Sequence, residues 1–363
     1  MKVLILTGKF GMGHWSASLS LQQQLEKGFP AADIRVLDFF EYAMPGASEA
    51  MYKAFSLLVT HGSGIYNTFY KLTENGKPDS VPPFASLMAE KIAELVNVER
   101  PDAIVVTHPV CAQIVSRYKL DSGSTLPLVT CVTDMTAHSE WLCAKTDGYL
   151  VGSPALKKAL VSKGIDPRAI IVTGIPVKDE FRSVKTERRS GKRELLIMGG
   201  GLGLMPRGEK FYEALNALEN VHTVMITGGN KKLFEKLSGK YENIDVVGYT
   251  DKVYQYMAKA DLMLSKPGGI TVFEAITSGL PILAWEPFLQ QERNNANYLL
   301  RNGMGRVANK EPERCLESIR NLIYKDDVLA WMRDNMAKVR GQLEVEGLDG
   351  LLSALTEKEK VCA

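Results

Sequence analysis

Short apolar runs without polar alternation recur along this chain, and they leave few folds open. In the first half they are Lys2–Thr7, Ile34–Asp38, Ala103–Thr107, Leu128–Thr133, Gly148–Val151 and Ile170–Thr173. In the second half they are Glu194–Met198, Thr223–Thr227, Ile244–Val247, Leu262–Ser265 and Ile282–Ala284. A strand buried on both faces reads this way, whereas a strand with one wet face alternates. Helical patterns such as Phe84–Val98 and Pro154–Ser162 lie between the runs. Strands and helices in alternation build doubly wound α/β sheets. At 363 residues the chain is too long for one typical core, so two such domains are predicted. The charged stretch Gly174–Arg193 lacks apolar periodicity and reads as the connection between them. The predicted boundaries are 1–176, a linker at 177–193, a second domain at 194–345 and a helical tail at 346–363. The two sheets are expected to face each other across a central cleft, with ligands outside the carboxyl ends of their strands.

Composition excludes several classes. Hydrophobic residues are 45% and charged residues 24%, ordinary for a soluble globular protein. The formal net charge is +2, so no overall field favours nucleic acid. Five cysteines, odd in number and without zinc-type spacing, read as reduced thiols of a cytosolic protein, and no metal site is predicted. No run approaches the length of a membrane span, and the apolar stretch after Lys2 is too short for a signal peptide.

The first run leads into Gly8-Lys-Phe-Gly11-Met-Gly13-His14, and helical spacing follows from Leu19. The glycine spacing is not that of the dinucleotide fingerprint. What sets the loop apart is His14 at a helix start, where the helix dipole disfavours imidazolium and keeps the ring a base. Such a histidine can take the proton of an acceptor hydroxyl; a capping or packing role is the plainer alternative.

A second loop is richer. Ser265-Lys266-Pro-Gly268-Gly269-Ile270-Thr271-Val-Phe-Glu274 breaks a strand with a glycine pair and opens a helix. Free N–H groups at such a helix start suit a phosphate. Glu274, about a turn and a half in, suits ribose hydroxyls. Gln291, Glu292 and Asn295 follow at short range and form a polar cluster of the kind that reads sugar hydroxyls. Together they point to a nucleotide diphosphate carrying a sugar.

Between Phe39 and Phe84 there are nine aromatics, against 8% for the whole chain, with Lys53, Lys71 and Lys77 among them. This suits a surface that dips into a bilayer interface. It equally suits a helical cluster packed on the sheet, and both readings stay open.

These motifs resemble glycosyltransferase family 28, in the branch of monogalactosyldiacylglycerol synthases and processive diacylglycerol glucosyltransferases. Along essentially the whole chain, Gly11-Met-Gly-His14-x-Ser16-Ala17, Thr133-Asp134-x-x-x-His138-x-x-Trp141, Asp147-Gly-Tyr-x-x-x-Ser153, Val172-Thr-Gly-Ile-Pro176, the Pro267–Glu274 loop and Gln291-Glu-x-x-Asn295 occur in the family's order. The resemblance implies a GT-B fold and an inverting, metal-independent transfer of a hexose from a UDP-sugar, without a cofactor, to a lipid hydroxyl such as that of diacylglycerol. It implies a peripheral, cytoplasmic placement on the inner face of an anionic membrane. His14 would be the base. Gly269, Ile270 and Thr271, next to Gly268, would meet the pyrophosphate, with Glu274 on the ribose. Gln291, Glu292 and Asn295 would bind the sugar. A loop with Gly200, Gly201 and Gly203 would close over the phosphates, and backbone near Gly248 and Tyr249 would meet the uracil. Lys266 would stabilise departing UDP or point away. Asp134 would orient His14 or merely cap a strand end. Gly11, Gly13, His108, His138 and Trp141 would border the acceptor site.

Lys9-Phe10, Leu204-Met-Pro-Arg207 and Trp285–Leu289 depart from the family's pattern, which leaves the donor open among UDP-glucose, UDP-galactose and UDP-N-acetylglucosamine. A UDP-N-acetylglucosamine transferase acting on a polyprenyl-linked acceptor is the main alternative. An NAD-dependent oxidoreductase with Asp38 on the ribose has the wrong glycine spacing. A UDP-sugar 2-epimerase would share the architecture without needing a lipid surface. The sequence assigns no oligomeric state.

Overall fold

The computed structural model describes residues 1–74, 85–184, 191–200, 208–285, 287 and 289–362. They divide into two units, Met1–Lys178 with Gln342–Ala363, and Asp179–Gly341.

The first unit is a six-stranded parallel sheet of β1 (Lys2–Thr7), β2 (Asp33–Asp38), β3 (Ala103–Val106), β4 (Leu128–Cys131), β5 (Gly148–Leu150) and β6 (Ile170–Ile171), in the order β2-β1-β3-β4-β5-β6. Register along β1 matches Leu6 to Leu37 on one side and to Val106 on the other. Successive residues of β1 serve opposite faces. Leu4 and Leu6 pack with Phe39, Phe40 and Ile92, while Val3 and Ile5 pack with Leu21 and Leu25. Covering both faces is why the strand reads as an unbroken apolar run. The flanking helices are α1 (Met12–Gly28), α2 (Phe39–Ala43), α3 (Ser48–His61), α4 (Ser63–Thr73), α5 (Ala85–Glu99) and α6 (Pro109–Ser122). The aromatic segment is therefore mostly three short helices; residues 75–84 lie outside the described residues.

The segment expected as a separate tail is a helix, Gly347–Cys362, and it packs within the first unit. Its Leu348 and Leu352 are fully buried against Val3, Ile5 and Leu25. Gly148 lets the helix approach, because a Cβ there would lie 2.6 Å from Leu351.

The second unit repeats the plan with β7 (Arg193–Met198), β8 (Val221–Ile226), β9 (Ile244–Val247), β10 (Leu262–Ser265), β11 (Ile282–Trp285) and β12 (Gly305–Ala308), all parallel, in the order β12-β11-β10-β7-β8-β9. β12 has no counterpart among the expected strands; it has four residues, and its middle ones, Arg306 and Val307, are exposed. An edge strand of this kind carries no apolar run. Part of the expected linker belongs to this unit: helix Glu180–Ser183 buries Phe181, whose ring contacts Tyr254.

In each sheet the chain first builds outward on one side of its opening strand and then returns to the other. The reversals fall between β1 and β3 and between β7 and β10. Loops diverge there, which opens room for a ligand beyond the carboxyl ends.

Candidate active site

The reversal in the first unit brings His14 and Thr107 together. Gly11 is the N-cap of α1, in extended backbone and with no side-chain cap, and His14 is the helix's third residue. The His14 Nδ1 lies 2.8 Å from the Thr107 carbonyl oxygen, just past β3. A carbonyl only accepts, so the proton sits on Nδ1 and the lone pair on Nε2. Thr133 Oγ1, beyond β4, is also 2.8 Å from Nδ1. Burial depresses the imidazole pKa to about 4 against the opposing pull of the Thr107 carbonyl. The ring is therefore a neutral base at pH 7.

Hydroxyl groups brace this turn. Thr107 Oγ1 donates to Thr7 Oγ1 at 2.8 Å, and Ser18 Oγ, 2.8 Å from Thr107 Oγ1, donates to the His14 carbonyl at 3.0 Å. His108 caps α6, accepting from the Val110 N–H at 3.3 Å, and its ring lies edge-on to His14 with centroids 4.7 Å apart. Burial and the nearby His14 hold the His108 pKa well below the usual histidine range.

Asp134 makes no hydrogen bond with His14; the neighbouring Thr133 does. Asp134 acts instead on Glu140, whose carboxyl is pushed up to about 8 by burial first and by the Asp134 charge second. His138 and Trp141 are each 1% exposed, so they lie beneath the surface they were expected to line. His138 accepts from the Glu140 N–H at 3.2 Å, donates through Nε2 to the Tyr70 carbonyl at 2.8 Å, and stacks on Tyr70 at 4.0 Å. Ser139 Oγ donates to the Thr73 carbonyl. The pair clasps α4 to the loop after β4. Trp141 backs His14 at 6.3 Å between rings, and its Nε1 is buried without a partner among the described residues. Gly11 is exposed and Gly13 half-buried at the loop itself.

Phe10, one of the departures from the family pattern, fills an aromatic cluster. Its ring lies 4.8 Å from Phe40 and from Tyr52, 5.2 Å from Phe55 and 5.0 Å from His108. The ring contacts are those of a helical cluster packed on the sheet. Its rings pack inward, while Leu57 (61% exposed), Ile65 (73%) and Leu72 (80%) on α3 and α4 face outward.

In the second unit the two motifs read separately in the sequence meet. Gly268 is the N-cap of helix Gly269–Ser278 and supplies no side-chain cap. The first N–H groups of a helix lack intrahelical partners, so those of Gly269, Ile270 and Thr271 stand at the helix start beside the reversal, where such groups suit an anion. Glu274 is half-buried on the same helix. Helix Gln290–Arg301 follows β11. Its Asn295, fully buried, donates to the Pro267 carbonyl at 3.0 Å. Asn295 thus braces the loop that leads into helix Gly269–Ser278. Glu292 pairs through Oε1 with Lys266 Nζ at 2.7 Å. Glu292 Oε2, Gln291 Oε1 and Ser265 Oγ are buried without partners among the described residues.

A pocket of about 380 Å³ opens after β8 and β9, lined by Gly228, Lys231, Phe234, Gly248 and Tyr249 among others. Gly248 and Tyr249, expected near the base, line this cavity together with Phe234, which no sequence motif marks. Gly200 has φ +65°, a left-handed conformation natural to glycine. Gly201 and Gly203 lie outside the described residues. Among the described residues no group of three His, Cys, Asp or Glu side chains is placed to hold a metal.

Residues 14–177 match the family described as monogalactosyldiacylglycerol (MGDG) synthase, and residues 195–343 match the glycosyltransferase family 28 C-terminal domain. The chain is 30% identical over 350 residues to a processive diacylglycerol beta-glucosyltransferase of Staphylococcus saprophyticus, covering 92% of this chain and 88% of that one. The like-named protein of Bacillus subtilis is 29% identical, covering 92% and 90%. The solved spinosyn rhamnosyltransferase SpnG complexed with thymidine diphosphate superposes with a TM-score of 0.66 at 17% identity, over 97% of this chain and 100% of that one. That likeness establishes the GT-B fold.

Proposed function

The chain belongs to glycosyltransferase family 28, and from that premise we propose that it moves a hexose from a UDP-sugar to the free hydroxyl of diacylglycerol, with inversion at the anomeric carbon. The observation that carries the reading is the His14 imidazole, neutral at pH 7, with its proton held on Nδ1 by a backbone carbonyl and its lone pair on Nε2.

In the proposed step the acceptor oxygen attacks C1 as the bond from C1 to the UDP oxygen breaks. The acceptor proton passes to His14 Nε2, and the negative charge leaves on UDP. The N–H groups of Gly269, Ile270 and Thr271 stabilise that charge as an oxyanion hole does. Glu274 takes the ribose, the Phe234–Tyr249 pocket takes the base, and Gln291 with Glu292 takes the sugar. The outward leucines and isoleucine of α3 and α4, with Lys53 and Lys71 on the same helices, dock the protein on an anionic bilayer where its acceptor resides. Among the described residues no helix is long and apolar enough to cross a membrane.

The test is incubation of the purified protein with anionic vesicles containing diacylglycerol and, in turn, UDP-glucose, UDP-galactose and UDP-N-acetylglucosamine, following released UDP and glycolipid. Lipid-dependent release, lost in His14→Ala, supports the reading and identifies the donor. UDP binding without turnover moves the acceptor to a polyprenyl-linked or soluble substrate. Absence of UDP binding overturns the reading.

A further inference from the structure

We infer that Lys266 is a positioning residue that acts through Glu292 and sets how the sugar of the donor is read; the inference rests on the UDP-sugar site proposed above. From sequence alone, a lysine directly before Pro267-Gly268-Gly269 looks like a phosphate ligand. The structure gives its ammonium another task. Lys266 Nζ is 2.7 Å from Glu292 Oε1, and the Glu292 side chain is only 5% exposed. An ammonium engaged in a nearly buried ion pair is a costly group to withdraw, because the carboxylate would be left buried without its counter-charge.

The pair uses one carboxylate oxygen. The other, Oε2, is buried without a hydrogen-bond partner among the described residues, and so is Oε1 of the adjacent Gln291. Two unsatisfied acceptors on the first turn of one helix are costly unless a donor completes them. The hydroxyls of a hexose are donors of that kind, and a diphosphate offers only acceptors. Carboxylate orientation is therefore the quantity that matters for the sugar, and Lys266 fixes it. A second bond removes the remaining freedom, since Asn295, one turn along the helix, holds the Pro267 carbonyl at 3.0 Å. Lys266 and Pro267, neighbours in the loop, are thus both tied to the sugar-reading helix.

The test compares wild type, Lys266→Met, Lys266→Arg, Glu292→Gln and the Lys266→Met/Glu292→Gln double variant. Affinities for UDP and for UDP-glucose (or UDP-galactose, if that is the hexose turned over) are measured by calorimetry, with kcat and donor KM from the vesicle assay and folding checked by circular dichroism. Lys266→Met is expected to weaken UDP-hexose binding and raise donor KM about 10- to 100-fold, the loss expected of an acceptor left misaligned. UDP affinity stays within about 2-fold of wild type, since UDP lacks the sugar. Lys266→Arg recovers most of the loss. The double variant is no worse than Glu292→Gln alone, as required of a residue acting through its partner. A parallel fall in UDP and UDP-hexose affinity makes Lys266 a phosphate ligand and overturns the inference. So do unchanged affinities, or additive losses in the double variant. Wild-type protein that binds no UDP refutes the donor-site reading itself, a result distinct from these.

Discussion

His14 and Thr107 are joined at 2.8 Å between ring Nδ1 and a backbone carbonyl oxygen, so the tautomer of the proposed base is set by the end of a strand and by no side chain. Substitution at position 107 leaves that contact in place. Substitution at 14 does not.

His14→Gln is expected to lower kcat about 10²- to 10⁴-fold, the usual worth of a general base. UDP affinity stays unchanged, because the helix start proposed to hold the pyrophosphate lies in the second unit. Steady-state rates in the vesicle assay and UDP calorimetry check both halves.

The acid limb of the rate profile follows from the same ring. With a folded pKa near 4, His14 stays a base down to about that pH, and kcat/KM is expected to fall only as pH drops through it. Stability moves with opposite emphasis. The unfolded ring titrates at 6.5, so the neutral ring's contribution is complete above that value and erodes as pH falls from 6.5 toward 4. A rate profile breaking near pH 6.5 would contradict the buried environment of the ring.

Thr133→Val removes one of two contacts to Nδ1 and keeps the carbonyl. A loss of about 10-fold in kcat is expected, in line with one neutral hydrogen bond. Thr133→Ser retains most activity, and both variants unfold at nearly the wild-type temperature.

Burial first, and the Asp134 charge second, push the Glu140 carboxyl up from its ordinary 4.5 to about 8. Its contribution to stability is complete below 4.5 and lost as pH rises through 4.5 to 8. Glu140→Gln is expected to melt close to wild type at pH 5 and several degrees above it at pH 8. Melting curves at the two pH values decide the matter.

On the exposed face, Ile65→Glu/Leu72→Glu is expected to weaken flotation with anionic vesicles about 10-fold or more, because each buried apolar side chain contributes about 1.5–3 kcal/mol. The far-ultraviolet spectrum and the melting temperature stay unchanged, since both side chains are more than two-thirds exposed.

Both sheets were legible because their strands are buried on both faces, so each leaves an apolar run. β12 was not, because an edge strand with Arg306 and Val307 outward leaves none. The loops were legible where a motif had a backbone reason, as with Gly268 and Gly269 at a helix start. Partners across the fold were not. Thr133 and Asp134 are neighbours, and which one reaches His14 depends on how the chain turns after β4. Sequence offers the charged residue as a partner or as a strand-end cap, and the structure places the hydroxyl against His14. Likewise nothing in the sequence announces that Asn295 donates to the Pro267 carbonyl across a separation of 28 residues. The tail could not be assigned to the first sheet, because the fit of Leu351 against Gly148 spans some two hundred positions of chain.

The return of the C-terminal helix to the first unit also orders events during synthesis. Until residue 352 has left the ribosome, Val3, Ile5 and Leu25 have no Leu348 or Leu352 to cover them. The second unit, whose chain ends at Gly341, has everything it needs earlier. The part of the protein made first is therefore the part completed last, with the share of its sheet face that α1 leaves uncovered waiting until then, a natural point for chaperone engagement.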